Sequence, residues 1–108
     1  MSTAEMHVTV DDEQPKVRLA HVDGVLDVFT SPVLVARALA GLPDTARSLV
    51  IDLREVSFVD SAGISALARL GEEAQARAME VHAHLGDAAG RINATVVDVI
   101  RRVLPCDD

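Results

Sequence analysis

"VIDLREVSFVDSAGISALARL", Val50 to Leu70, decides how the chain folds. With Leu49 before it, the stretch opens on a compact apolar run through Leu53. That run is too continuous for a half-exposed edge and reads as a central strand. After "REVSFVD" turns toward it, a helix is predicted from about Ala62 to Arg77. Ile64, Leu67, Ala68 and Gly71 line one face, and Arg69, Glu72, Glu73 and Arg77 are left for the other. Asp60-Ser61-Ala62-Gly63 stands at the junction. Asp60 or Ser61 there can accept hydrogen bonds from the unpaired N–H groups of the first turn, typically worth ~1 kcal/mol.

The flanking sequence supplies more elements of both kinds. "HVTV" (His7 to Val10) and "KVRLAHV" (Lys16 to Val22) read as strands around the polar turn "DDEQP", which makes a hairpin. In the second strand Val17 and Leu19 share one face and Ala20 and Val22 the other, the mark of a bulge or of two-sided burial. "DGVLDVFTSP" (Asp23 to Pro32) reads as a loop ending in a helix start, with Ser31 as N-cap and Pro32 at the first helical position. Val35, Leu39 and Leu42 follow at helical spacing, and Gly41 marks the end. "MEVHAHL" (Met79 to Leu85) alternates, with Val81, Ala83 and Leu85 on one face and Glu80, His82 and His84 on the other. "GDAAGRINATVVDVIRRVLP" (Gly86 to Pro105) reads as a third helix capped by Asp87 and broken near Ala94 to Val97. Residues 1–5 and 105–108 read as flexible tails of one domain. Strands alternating with helices at this spacing imply crossover connections and a mixed sheet.

Composition narrows the function. The chain has 108 residues and a net charge of −7, which opposes direct nucleic-acid binding and attachment to an anionic membrane. Phe29 and Phe58 are its only aromatic residues, so the core must be aliphatic. Cys106, the single cysteine, cannot form an internal disulfide and fits a reducing compartment. No secretory signal and no membrane-spanning run is visible, so a cytoplasmic protein is expected.

Ser61 admits three readings. As a nucleophile it lacks the glycine two positions earlier, where Val59 stands, and no oxyanion loop accompanies it. As a cap it explains one polar residue at the helix mouth but not the whole Asp-Ser-Ala-Gly segment. As a modification site it makes physical sense, because a helix N-terminus tolerates a phosphate. Phosphorylation would add about −1.5 to −2 charges beside Asp60. Such a site is a switch, not a catalyst.

The segment "VIDLREVSFVDSAGISAL" closely resembles the central motif of the STAS domain, the fold of bacterial anti-sigma factor antagonists. "GVLDVFTSP" is similar to the family's Gly-Glu-Leu-Asp loop, with Gly24, Leu26 and Asp27 matching and Val25 replacing the glutamate. The looser resemblance extends from about His7 to Leu104. It implies an α/β STAS-like fold, with a mixed four- to five-stranded sheet and helices mainly on one face. It also implies a regulator without enzymatic activity. Unphosphorylated, such a protein binds an anti-sigma factor that is also a serine kinase, and a sigma factor is freed. Phosphorylated at the position of Ser61 it lets go, until a metal-dependent serine phosphatase restores it. The implied partner surface takes in Asp27, Thr30, Asp60, Ser61, Ala62, Gly63 and Ser65. Ser65 stands where many relatives have glycine and offers a second hydroxyl one turn on. The chain ends soon after "VLP", where relatives usually continue, which leaves a rudimentary last strand and apolar surface for a partner or a homodimer. The alternative is a STAS scaffold subunit of a stress-signalling or lipid-transport ATPase assembly.

His82 and His84 share a strand face at a spacing that metal sites use. A third ligand would have to come from elsewhere, such as His7 or His21. Without an evident ligand set, no metal and no cofactor are expected. Cys106 reads as incidental.

Overall fold

The computed structural model describes residues 5–107. Five strands form one sheet in the order β1 (Met6–Asp11), β2 (Val17–Leu26), β3 (Ser48–Val59), β4 (Glu80–His84) and β5 (Cys106–Asp107). β1 and β2 are an antiparallel hairpin, and every later pairing is parallel. The crossovers are α1 (Ser31–Leu39) between β2 and β3, α2 (Ser61–Ala76) between β3 and β4, and α3 (Ala88–Arg91) with α4 (Ala94–Val103) between β4 and β5. Right-handed crossovers that always step the same way along a sheet place their helices on one face. The core follows: Ala20, Val22, Leu49, Ile51, Leu53 and Ala83 meet Leu34, Leu67, Leu70, Val97 and Ile100 there. The mixed α/β sheet is therefore as read from the sequence, with five strands.

Several boundaries differ. β2 runs on through Asp23–Leu26, which reads as loop, and β3 runs on through Arg54–Val59, which reads as a turn. The two extensions pair with each other, with register shifts between His21 and Asp23 and between Gly24 and Val25. Gly24 makes this possible: at φ +105° a Cβ would lie 2.1 Å from the Glu5 carbonyl oxygen. That oxygen accepts from Val25 N–H at 3.0 Å, so Glu5 is tied to the sheet instead of belonging to a tail. At the other end Cys106 and Asp107, also expected in a tail, pair with Ala83 and His84 as β5. Pro105, the remaining described residue of that tail, accepts from Ala83 N–H at 2.9 Å, and residues 1–4 and 108 lie outside the described residues. The buried face of α2 is Gly63, Ala66, Leu67, Leu70 and Ala74, rotated from the predicted one. The last helical stretch breaks at Ile92–Asn93, where Asn93 accepts from Thr95 N–H. Asp87 makes no side-chain cap bond.

One buried charge organises the end of α1. Arg18 points to the helix side of β2 and is 3% exposed. Its guanidinium donates to the Ala38, Ala40 and Gly41 carbonyls at 3.2, 2.6 and 3.0 Å, satisfying the orphan acceptors at the helix C-terminus. Two further bonds of 3.0 and 2.9 Å hold the Asp12 carboxylate and keep its pKa below the ordinary value.

Candidate functional site

The site is built where β2 and β3 end side by side. Asp60 N–H donates to the Leu26 carbonyl at 3.1 Å, joining the end of one strand to the start of α2. Asp60 then caps that helix: its Oδ1 accepts from Ala62 N–H at 2.9 Å and Gly63 N–H at 3.1 Å. A Cβ on Gly63 would come within 2.8–2.9 Å of Val59 and Leu26. The first turn of α2 can therefore sit this close to both strand ends only with glycine there. With the cap taken by Asp60 and the inward position by Gly63, Ser61 is left as the exposed first residue of the helix. Ala62 is half-buried and Ser65 is exposed one turn on.

The neighbouring loop is self-contained. Asp27 Oδ1 accepts from Phe29 N–H at 2.9 Å, Thr30 N–H at 3.0 Å and Thr30 Oγ1 at 3.2 Å. Thr30 Oγ1 also bridges the Val25 carbonyl and Asp27 N–H, at 2.6 and 2.9 Å. Thr30 is consequently buried, and so is Gly63. Of the seven residues assigned to the partner surface, these two shape it without offering side-chain area. Ser31 is not the N-cap. It is the first residue of α1, buried, and its Oγ has no hydrogen-bond partner. Thr30 occupies the cap position without a side-chain cap bond, because its hydroxyl is used inside the loop.

What this framework holds up is apolar. Among the described residues, Val28, Phe29, Val33 and Phe58 are the exposed large hydrophobic ones, and Phe29 is 83% exposed. Phe58 lies two residues before Asp60, paired with Val25. Val28 also lines an open groove of about 600 Å³ between α1 and α2, together with Ala62, Ser65 and Arg69. Sequence reasoning missed this rim. The signal was present, since the two phenylalanines of an otherwise aliphatic chain fall in the two motif segments, Phe29 in the Asp27 loop and Phe58 just before Asp60.

Behind the site, Asp52 lies on the sheet face opposite the helices. Its carboxylate accepts from Arg54 Nε at 2.9 Å, Arg54 Nη2 at 2.8 Å and Arg54 N–H at 3.0 Å, and meets His21 Nδ1 at 3.0 Å. The guanidinium first, then the backbone N–H and the imidazole, hold its pKa far below the usual carboxylate range.

Comparisons with known proteins agree with this architecture. An anti-sigma factor antagonist from Mycobacterium paratuberculosis is 28% identical and superposes with a TM-score of 0.69, over 94% of this chain and 85% of that one. The anti-sigma factor antagonist SpoIIAA in its unphosphorylated form shares the fold at 16% identity and TM-score 0.71, over 94% and 88% of the two chains. The murine anion transporter Slc26a9 contains a similar unit (23% identity, TM-score 0.63) covering 84% of this chain but 14% of the transporter. No curated protein sequence matches. The family pattern described as the STAS domain matches residues 9–82, which include the hairpin's second strand, the Asp27 loop and the whole Asp60–Gly63 junction. The chain belongs to the STAS domain family.

Proposed function

We propose that this chain is an anti-sigma factor antagonist switched by phosphorylation of Ser61. In the unphosphorylated state it binds an anti-sigma factor that is also a serine kinase, which releases the sigma factor. The kinase then transfers the γ-phosphoryl group of ATP to Ser61 Oγ, whose proton leaves, and ADP departs. A metal-dependent serine phosphatase returns the hydroxyl by hydrolysis. The observation that carries this reading is the division of labour at α2: Asp60 caps, Gly63 packs, and Ser61 is presented to solvent beside exposed apolar residues.

The chemistry is that of a surface, not of a catalyst. A partner that packs on Phe29, Phe58 and Val28 encloses the helix mouth and desolvates it. A neutral hydroxyl next to one carboxylate is tolerated there. A phosphate of about −1.5 to −2 charges beside Asp60 is not, because juxtaposed like charges at an interface cost several kcal/mol. The 28% identity to an anti-sigma factor antagonist over most of both chains supports the same reading.

The test is phosphorylation by the cognate kinase with ATP, followed by peptide mass spectrometry. Ser61 should carry the phosphate, and Ser61→Ala should take up none. Equal incorporation into Ser61→Ala would reject the assignment, and incorporation at Ser65 alone would move the switch one turn along the helix.

A further inference from the structure

The open face of the sheet carries a feature that the Ser61 switch does not use. His82 and His84 project from β4 on the side away from the helices, both about one-third exposed. The sequence offers His7 or His21 to complete a metal site, but neither does. His21 is engaged with Asp52, and His7 lies near Glu5 on β1. The third group is Asp107 on β5. Its Oδ2 is 3.2 Å from His82 Nε2 and 3.8 Å from His84 Nδ1, and the ligand atoms of the three residues all lie within 4.8 Å of one another.

We propose that His82, His84 and Asp107 form a site for a divalent transition-metal cation of the zinc class. Zinc binds imidazole nitrogen and carboxylate oxygen at about 2.0–2.2 Å, so the ligand atoms of a tetrahedral set sit roughly 3.4 Å apart. The two imidazole-to-carboxylate distances already bracket that spacing. The two rings are perpendicular with centroids 5.2 Å apart. One divalent cation would satisfy both imidazole nitrogens and the carboxylate together. Asp52, in register with His84, does not compete, since Arg54 and His21 occupy it. An open groove of about 510 Å³ lined by Glu80, Val81, His82, Pro105 and Asp107 leaves room for water as the remaining ligand.

The consequence is structural. Among the described residues, β5 pairs with β4 at two positions. A metal bound across His82, His84 and Asp107 ties that strand to the sheet through side chains, and binding to the folded state raises its stability by mass action.

The experiment is zinc titration of the untagged chain by calorimetry, paired with thermal melts. Wild type should bind one zinc per chain and melt at a higher temperature with zinc than without. His82→Ala, His84→Ala and Asp107→Asn should each weaken binding by at least about ten-fold, since even losing a group that only supports a ligand costs that much. Cys106→Ser should bind as wild type does. Absence of uptake by wild type, equal uptake by all three ligand variants, or loss only in Cys106→Ser would each overturn the site. Should a variant fail to fold, ¹⁵N imidazole spectra of wild type decide: zinc must shift His82 Nε2 and His84 Nδ1, and unmoved resonances reject the proposal.

Discussion

At Ser61 three adjacent demands are met by three different residues, and each has its own physical signature. Asp60 satisfies two N–H groups, Gly63 permits an approach that any side chain would block, and Ser61 remains outside. The first and third roles were legible, because an aspartate-serine pair before a helical pattern limits the choice to cap, nucleophile or modified residue. The role of Gly63 was not, since close approach to Leu26 depends on a strand that is distant in sequence. Asp52 yields a prediction at this scale. Its folded pKa is depressed, so it contributes stability that is present above its unfolded pKa of about 3.9 and is lost as pH falls through the folded value. Urea unfolding of wild type and Asp52→Asn should therefore differ most above about pH 4 and converge as the pH drops further. A gap independent of pH would mean that packing, not charge, sets the difference.

Elements were legible in kind but not in length. Asp23 and Glu55 look like loop residues because they are polar, yet they pair across β2 and β3 where local composition carries no warning. α2 was placed correctly but turned wrongly, because Gly63, Ala66 and Ala74 make its buried face, and small residues leave a weak apolar stripe. Arg18 was read only as part of the strand "KVRLAHV", although it caps α1 from the sheet. Arg18→Leu should cost about 2 kcal/mol in denaturant unfolding, because the helix-end carbonyls lose their donor while Asp12, 37% exposed, keeps water. A loss below about 0.5 kcal/mol, the range of ordinary surface changes, would contradict that role. The Asp27 loop carries the complementary prediction. Phe29→Ala should leave stability within about 0.5 kcal/mol, since the ring touches mostly solvent. It should weaken binding to the anti-sigma kinase by about ten-fold or more if the ring anchors the interface. Unchanged affinity would remove the apolar rim from the binding surface.

For the whole molecule, a monotonic strand order with right-handed crossovers places the core on one face, and the Ser61 surface stands at the ends of β2 and β3. The mixed sheet with crossover helices was legible because helix and strand periods alternate along the chain, whereas helices mainly on one face came only with the STAS resemblance. The open face was not, since Asp107 meets His82 and His84 only once β5 has paired. No helix among the described residues is long and apolar enough to cross a membrane. The chain already carries a net charge of −7, and a single phosphate concentrates further negative charge at one point on it. The most direct measurement is calorimetric titration of the cognate anti-sigma kinase with unphosphorylated and Ser61-phosphorylated protein. Affinity should fall by about 100-fold or more on phosphorylation, equivalent to roughly 2.7 kcal/mol. Equal affinities for the two forms would contradict the charge switch.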